Sequence, residues 1–468
     1  MALARITPLH DSRPLDVATF SAGLAGTVVR PEDPGYDVAR QVHNATIDRH
    51  PALIVRAATA ADVARTVVFA RDAGLELAVR GGAHSLAGFG TVEGGIVLDL
   101  GLMKGLHIDA DRRIAWAQAG LTAGEYTAAA AEHGLATPFG DTGSVGIAGL
   151  TLGGGIGWLV RKYGLAIDAL LSVEVVTADG RVIVANETDH PDLFWAIRGG
   201  GGNFGVVTRF QFRLYPVSTV LGGALFLPPT REVLQSLVPL AASAPEALTT
   251  ISVLMAAPPA PFIPEALHGQ PTLALMFVFD GDPEAGQAAL EPFRQVATPM
   301  AEFVMPMPYV GIYELLKGAE ERSAAVHRSL FLDTLDDAAI DTILERAAAP
   351  ISPMAMTQIR VLGGAMARVD EAATAFAHRD ASVMVVLITG FEDPAEMSAH
   401  AAWTESYYEA LRPRSIGVYS NFLEAEGEDR IREAYPEATY RRLADVKRRY
   451  DPTNVFHLNQ NIRPASVG

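Results

Sequence analysis

The sequence predicts an α+β protein with two large domains, and three observations support this prediction. The chain has 468 residues, which is more than a single hydrophobic core usually serves. Residues 53–79 have the pattern of a strand, an amphipathic helix and a second strand. Beyond about residue 216 the Gly-rich tracts of the first half end, and apolar strands alternate with helices. This change predicts a second domain in which helices cover an antiparallel sheet.

The first half begins with residues 1 to about 50, a polar lead-in that Pro31, Pro34 and Pro51 are predicted to break into short pieces. Leu53–Ala57 is an apolar run and predicts a strand. Thr59 is suited to begin the helix that follows, and Gly74 is suited to end it. Leu75–Val79 then predicts the strand that leads into the first Gly-rich tract.

The remaining elements follow from apolar periodicity and turn signals. Further strands of the first half are predicted at Gly95–Leu100, Leu106–Asp109, Ile114–Gln118, Val173–Val176, Val182–Val184 and Thr208–Tyr215, with a helix at Ala123–His133. Strands of the second half are predicted at Leu221–Phe226, Thr250–Ala256, Thr272–Phe279, Gln358–Leu362 and Val383–Gly390, with helices at 231–243, 283–297, 336–348 and 394–412.

Charge and composition exclude several classes of function. The formal net charge of −17 disfavours nucleic acid and anionic membranes as partners. The chain has no cysteine, which excludes disulfides, thiolate catalysis and cysteine-ligated metals. Histidines at metal-ligand spacing are also missing, so we expect no metal. Because no signal-peptide core or membrane-spanning apolar run is found, the expected location is the cytoplasm.

Three Gly-rich tracts occupy Val79–Gly90, Pro138–Gly157 and Arg198–Val207. None fits a Rossmann fingerprint, because the G-G-G-I-G segment lacks a preceding strand and a downstream acidic residue. Phosphate-loop and nucleophile-elbow motifs are absent from the sequence. The tracts are either tight turns between strands or separate loops whose backbones together line one long ligand with a diphosphate. Three tracts in one half of the chain favour the second interpretation.

At this point four ordered motifs resemble a known family over essentially the whole chain. They are RGGAHSLAGFG, GDTGSVGIAGLTLGGGIGWLVRKYGLAID, DLFWAIRGGGGNFGVVT and YDPTNVFHLNQNIRP. They resemble berberine-bridge-enzyme-like, FAD-linked oxidases of the vanillyl-alcohol oxidase superfamily. The resemblance implies a two-lobed PCMH-type FAD-binding domain at 1–215 (core about 47–217), a substrate domain at 216–422, and a C-terminal segment at 423–468 that returns to the FAD domain.

The resemblance also implies how the cofactor is held. His84 lies where the family bonds a histidine to the flavin 8α-methyl group. Thr142 replaces the cysteine that makes a second bond in many members, so we expect a single covalent attachment of FAD through His84. The other residues that the resemblance places at the cofactor are Arg80, Gly81, Gly82, Ala83, Ser85, Gly140, Asp141, Gly143, Ser144, Val145, Gly146, Gly149, Leu150, Gly153, Gly154, Ile156, Gly205, Val206, Val207, Asn459 and Asn461.

The implied catalytic residues lie in three places. Val145 matches a position beside the flavin where a small residue is associated with access of dioxygen. Tyr419 and Asn421 resemble the family's Y-x-N segment near the active site. A tyrosine whose pKa is lowered by a nearby cation could act as the base, although a phenol packed at a strand end is an equally good interpretation. Tyr163 is a second phenol that could face the flavin ring.

Substrate-binding candidates come from the second half. Gln358 and Arg360 share one face of a predicted strand, so they could point into the pocket. They could equally face solvent, and the alternation of a half-exposed strand slightly favours solvent. Tyr309 and Tyr313 are further pocket candidates.

We therefore expect an FAD-dependent oxidase that takes two electrons from a small organic alcohol, amine or secondary metabolite, with dioxygen as the acceptor. One alternative is a dehydrogenase that uses another acceptor. A second alternative, from a different class, is a flavin-bound binding protein without redox turnover. Neither the identity of the substrate nor the oligomeric state follows from the sequence.

Overall fold

The computed structural model describes residues 16–320 and 322–466, with residues 315–320 described by their backbone alone. The helices are α1 Val17–Ala22, α2 Tyr36–Ala39, α3 Ala60–Ala73, α4 Ala123–Ala131, α5 Ile147–Leu152, α6 Val160–Tyr163, α7 Pro191–Ile197, α8 Arg231–Ser243, α9 Pro283–Val296, α10 Asp337–Ala348, α11 Met397–Leu411, α12 Glu428–Ala434 and α13 Glu437–Tyr450. In the part of the chain that is described, no helix combines the length and the apolar character that crossing a bilayer requires.

The strands form four sheets. They are β1 Thr27–Val29, β2 Leu53–Arg56, β3 Leu77–Arg80, β4 Ile96–Asp99, β5 Leu106–Asp109, β6 Ile114–Gln118, β7 Leu135–Ala136, β8 Leu170–Val176, β9 Val182–Asn186, β10 Val206–Arg213, β11 Tyr215–Pro216, β12 Thr219–Leu227, β13 Leu248–Ala256, β14 Pro271–Phe279, β15 Ala301–Pro308, β16 Ala324–Leu332, β17 Ala355–Val361, β18 Val383–Phe391 and β19 Ser415–Gly417.

The first sheet has the order β1-β2-β4-β3, with β2, β4 and β3 parallel. The predicted strand–helix–strand unit is confirmed, because α3 joins β2 to β3 between a Thr59 N-cap and a left-handed Gly74 C-cap. The described part of the lead-in consists of short pieces, as predicted: α1, β1 and α2 lie there, and β1 pairs with β2. These elements have three to six residues, too few for periodicity to reveal them. Residues 1–15 of the lead-in lie outside the described residues.

The second sheet is antiparallel, in the order β5-β6-β10-β8-β9. The predicted strands at Val173–Val176 and Val182–Val184 lie in β8 and β9, which pair with Val176 opposite Val182 across the turn at Gly180. A pair formed by β7 and β11 joins the second sheet to the start of the second half. The first Gly-rich tract follows β3, the second follows β7, and the third leads into β10.

The third large sheet has eight antiparallel strands in the order β15-β12-β14-β13-β17-β18-β16-β19. One face packs on α8, α9, α10 and α11, as predicted, and the other face is turned toward the first half of the chain. The sequence did not predict β15 or β16. Pro306 and Pro308 are tolerated in β15 because it is an edge strand, and three successive polar residues (327–329) interrupt the apolar pattern of β16. The domain boundaries at 215/216 and 422/423 stay a prediction.

The C-terminal segment is anchored by a buried ion pair. Lys447, on α13, is fully buried, and its Nζ donates to Asp451 Oδ2 (2.6 Å), the Asn203 carbonyl (2.7 Å) and the Phe456 carbonyl (2.8 Å). Asn203 Oδ1 in turn accepts a hydrogen bond from the backbone of Ile462. The tail that follows α13 is thereby fixed against the third Gly-rich tract.

We expect Asp451→Ala to lower the free energy of unfolding by about 3–5 kcal/mol, because it leaves the buried Lys447 charge without its partner. Asp445→Ala is the matched control. It breaks the Asp445–Arg448 pair, whose side chains are half exposed, and should cost only about 0–1 kcal/mol. Urea unfolding of both variants tests this expectation. Equal losses in the two variants would contradict the anchoring role of the buried pair.

Candidate functional site

The first Gly-rich loop begins at Arg80, which a buried ion pair holds in place. The side chain of Arg80, at the end of β3, is buried, and its Nη2 donates to Asp99 Oδ2 on the neighbouring β4 at 2.7 Å. Ala83 adopts a left-handed backbone conformation (φ 61°), which is unusual for a residue with a Cβ. The chain therefore turns sharply just before His84.

The first and second Gly-rich loops touch through their glycines. A Cβ on Gly82 would collide with the backbone nitrogen of Gly146, and a Cβ on Gly146 would collide with that of Gly82. Both positions must be glycine for the backbones to approach this closely. The structure thus brings two tracts that are distant in sequence to one place, as expected of loops that line a common ligand.

His84 is paired with a histidine that the sequence analysis did not single out. The rings of His84 and His43 stack with centroids 4.1 Å apart, and the backbone nitrogen of His43 donates to the Ala83 carbonyl at 3.0 Å. Burial and the neighbouring His43 lower the pKa of His84 to about 4. The imidazole is therefore neutral at neutral pH. His43 lies in the lead-in, where no sequence signal marked it.

Several buried polar atoms at the loops lack a partner within the described residues. Among them are Ser144 Oγ on the second loop and the side-chain oxygens of Asn459 and Asn461 on the tail. Buried polar groups are almost always hydrogen-bonded, so unpaired groups that converge on bare Gly loops point to a missing polar ligand. The same loops carry the other predicted cofactor residues. FAD therefore fits these residues, with its diphosphate suited to the Gly-rich backbone.

Thr142, which stands where many family members have a flavin-bonding cysteine, makes a local hydrogen bond. Thr142 Oγ1 donates to Asp141 Oδ1 at 3.3 Å, on the second loop. Val145, three residues on, is half-buried and packs against the main core of the first half.

Tyr419 and Asn421 form one hydrogen-bonded unit. The Tyr419 hydroxyl accepts from the backbone nitrogen of Gly155 and from Asn421 Nδ2, both at 2.9 Å, and Asn421 Nδ2 also donates to the Leu150 carbonyl at 3.0 Å. Burial raises the pKa of Tyr419, while the two donated hydrogen bonds and the Arg360 charge act in the opposite direction. The expectation of a pKa lowered by a cation is wrong, because desolvation outweighs the cation.

Gln358 and Arg360 do not face solvent, so that alternative is wrong. Arg360 is 6% exposed and forms an ion pair with Asp141 of the second loop. Its Nη2 donates to Gln358 Oε1 at 2.7 Å, and its guanidinium lies 5.7 Å from the centre of the Phe422 ring. The strand is covered on both faces, and alternation alone does not distinguish such a strand from a half-exposed one.

The other candidate tyrosines occupy different surroundings. Tyr163 is half-buried, stacks on Tyr215 with ring centroids 4.3 Å apart, and donates to the Pro216 carbonyl at 3.3 Å. Tyr313 is buried and shares a hydrogen bond of 3.1 Å with Thr127 Oγ1. Tyr309 is 1% exposed, and its hydroxyl has no partner among the residues described. Burial raises the pKa of Tyr309, and the nearby charge of Asp141 raises it further.

Comparison with known proteins places these features in a family. The FAD binding domain family matches residues 51–186, and the "berberine and berberine like" family matches residues 418–463. An uncharacterized FAD-linked oxidoreductase from Bacillus subtilis is 31% identical over 451 residues, covering 94% of this chain and 97% of the relative. The chain belongs to the berberine-bridge-enzyme-like family of FAD-linked oxidoreductases. The family resemblance drawn from its motifs is confirmed, and the protein is an FAD-dependent oxidoreductase of an oxidase family.

Three further proteins with named activities are similar to this FAD-linked oxidoreductase. (R)-6-hydroxynicotine oxidase from Paenarthrobacter nicotinovorans is 31% identical over 466 residues, covering 94% of this chain and 97% of the relative. The crystal structure of the 6-hydroxy-D-nicotine oxidase from Arthrobacter nicotinovorans matches with a TM-score of 0.85 and 28% identity, over 95% of this chain and 99% of that one. A xylooligosaccharide oxidase from Myceliophthora thermophila matches with a TM-score of 0.86 at 23% identity, over 96% of this chain and 100% of that one. The expected PCMH-type α+β fold is thereby confirmed.

Proposed function

We propose that this FAD-linked oxidoreductase is an oxidase that carries FAD on His84 by a single covalent bond. It removes two electrons from a small organic alcohol, amine or secondary metabolite and passes them to dioxygen. The observation that carries the proposal is the neutral imidazole of His84 beside the contact of Gly82 with Gly146. A neutral imidazole has the free lone pair that a nucleophile needs.

The chain's own residues would hold the cofactor in three ways. Backbone N–H groups of the touching Gly loops would bind the diphosphate, since successive N–H groups form an anion site. Ser144, Asn459 and Asn461 would bind polar atoms of the cofactor through the oxygens that otherwise lack partners. His84 would fix the ring system, with no second tether because Thr142 stands in the cysteine position. The bound flavin supplies the hydride acceptor.

Tyr419 would take the proton that leaves the substrate. Two donated N–H bonds and the positive charge of Arg360 would stabilise the phenolate as it forms. Because burial keeps the pKa of Tyr419 above its usual value, the phenol is protonated at neutral pH, and the base form grows as pH rises. Flavin reduction by substrate should therefore be faster in alkaline solution.

Val145 supports the choice of dioxygen as acceptor, because its side chain is small and lies on the second flavin loop. We expect Val145→Leu to slow reoxidation of the reduced flavin by about tenfold, a barrier change of about 1.4 kcal/mol, and to leave reduction nearly unchanged. Stopped-flow measurement of both half-reactions tests this expectation. Val145→Ala is the matched control and should keep the parent rate of reoxidation. Equal losses in both half-reactions would contradict the proposed role.

The experiment for the whole proposal is an anaerobic screen with aromatic alcohols, cyclic amines and sugars. An oxidase bleaches with its substrate and regains its yellow colour within seconds of mixing with air. Bleaching followed by slow recovery in air would show a dehydrogenase that uses another acceptor. No bleaching by any class would contradict redox turnover and support a binding protein.

A further inference from the structure

The middle of the large sheet presents two rows of side chains toward the first half of the chain. In strand register, one row consists of Met276, Ile251, Arg360 and Met384, on β14, β13, β17 and β18. The next row consists of Ala274, Val253, Gln358 and Val386. These apolar side chains belong to the cores on the flavin side of the sheet, whereas their sequence neighbours pack on the helices. Arg360 and Gln358 are thus a polar pair within an apolar surface.

Arg360 connects this surface to the second Gly-rich loop, and one of its N–H groups has no hydrogen-bond partner within the described residues. Its Nη1 pairs with Asp141, and its Nη2 donates to Gln358. Its Nε is buried and has no hydrogen-bond partner within the described chain. An unpaired buried N–H costs about 1–3 kcal/mol. A ligand that accepts one hydrogen bond would remove this cost.

The charge of Asp141 determines whether a neutral or an anionic hydrogen-bond acceptor can bind at Arg360. Its carboxylate already compensates the guanidinium charge, so the pair is formally neutral. An anionic ligand at Arg360 would meet Asp141 at short range, and like charges brought together cost several kcal/mol. The hydroxyl of Tyr309 is also buried and has no partner among the residues described. The site therefore suits a neutral oxygen acceptor.

Resting on the proposed function above, we propose that the substrate is a neutral, mainly apolar molecule with one hydrogen-bond acceptor, which Arg360 Nε binds. Asp141 is the specificity residue that rejects carboxylates. Sugars fit poorly, because a chain of hydroxyls needs many partners and the rows beside Arg360 offer apolar groups. This assignment separates the protein, by the chemistry of its own sheet, from the xylooligosaccharide oxidase that its fold resembles.

The test uses three ligands of similar shape: acetophenone (a neutral acceptor), benzoate (an anion) and cumene (neither). Their affinities are measured with the FAD-loaded protein from the change in flavin absorbance on binding. We expect acetophenone to bind at least about tenfold more tightly than benzoate and cumene, equivalent to about one hydrogen bond. Benzoate binding as tightly as acetophenone, or no binding of acetophenone, would overturn the proposal.

Two variants separate the roles within the pair. Asp141→Asn should strengthen benzoate binding by about tenfold or more, because it leaves the Arg360 charge uncompensated. Arg360→Met should abolish the preference for acetophenone over cumene, and it tests the proposal even if Asp141→Asn fails to hold FAD. Asp168→Asn breaks another buried pair, with Arg379, and should leave the ligand preferences unchanged. If neither Asp141→Asn nor Arg360→Met changes the ligand preferences, the assignment is contradicted.

Because binding is read without turnover, this test is separate from the oxidase proposal. A substrate can bleach the flavin while the ligand preferences contradict the role of Arg360. Conversely, the predicted preferences can appear in a protein that no tested substrate reduces.

Discussion

His84→Ala is expected to yield a protein from which all FAD is released on denaturation. The parent protein should keep its flavin on denaturation, because His84 would hold it by a covalent bond that an alanine side chain cannot form. The stacked partner His43 should not substitute for His84, since His43 lies on another segment of the chain. Flavin fluorescence of the protein band on a denaturing gel measures the bound fraction.

The matched control for this variant is His133→Ala. His133 is exposed beyond the end of α4 and should not affect the flavin, so its band should fluoresce like that of the parent. Retained fluorescence in His84→Ala would show that another residue forms the bond. A non-covalent but yellow His84→Ala protein is the expected form, because the Gly loops and the tail asparagines still bind FAD.

Tyr419→Phe is expected to lower the rate of flavin reduction by about 10²–10⁴-fold, the usual contribution of a positioned acid or base. The loss should be larger at high pH, because only the parent enzyme gains a phenolate there. In the parent, the reduction rate should rise with pH up to the raised pKa of Tyr419, and in the variant the rate should be flat. Anaerobic stopped-flow measurements across the alkaline range give both profiles.

Tyr407→Phe is the control for a loss of stability in Tyr419→Phe. Removing the hydroxyl leaves the N–H groups of Gly155 and Asn421 unpaired, which costs stability. Tyr407→Phe removes an equally buried hydroxyl that bonds to Thr357 on the helix-covered side of the sheet. We expect it to lower stability and to leave reduction unchanged. A similar loss of rate in both variants, or a change in substrate affinity alone for Tyr419→Phe, would reduce Tyr419 to a packing or binding role.

The sequence predicted those features that local physics decides. Thr59 and Gly74 predict where the helix from Ala60 begins and ends, and the structure has them as its N-cap and C-cap. The need for glycine in the ligand loops was also visible, although the contact of Gly82 with Gly146 joins segments more than sixty residues apart in the printed sequence.

Other features depend on tertiary contacts that no local pattern encodes. A period of two places Gln358 and Arg360 on one face of a strand but does not say what covers that face. The pairing of His43 with His84 and the anchoring of the tail by Lys447 arise only when distant segments meet. The raised pKa of Tyr419 likewise depends on how deeply its ring is buried.

The most direct test of the central claim is the mass of the peptide that contains His84. The parent protein is precipitated with acid, washed, digested and analysed by mass spectrometry. We predict a yellow pellet and a His84 peptide that carries one flavin, with no flavin on any other peptide. A colourless pellet with an unmodified His84 peptide would contradict the account.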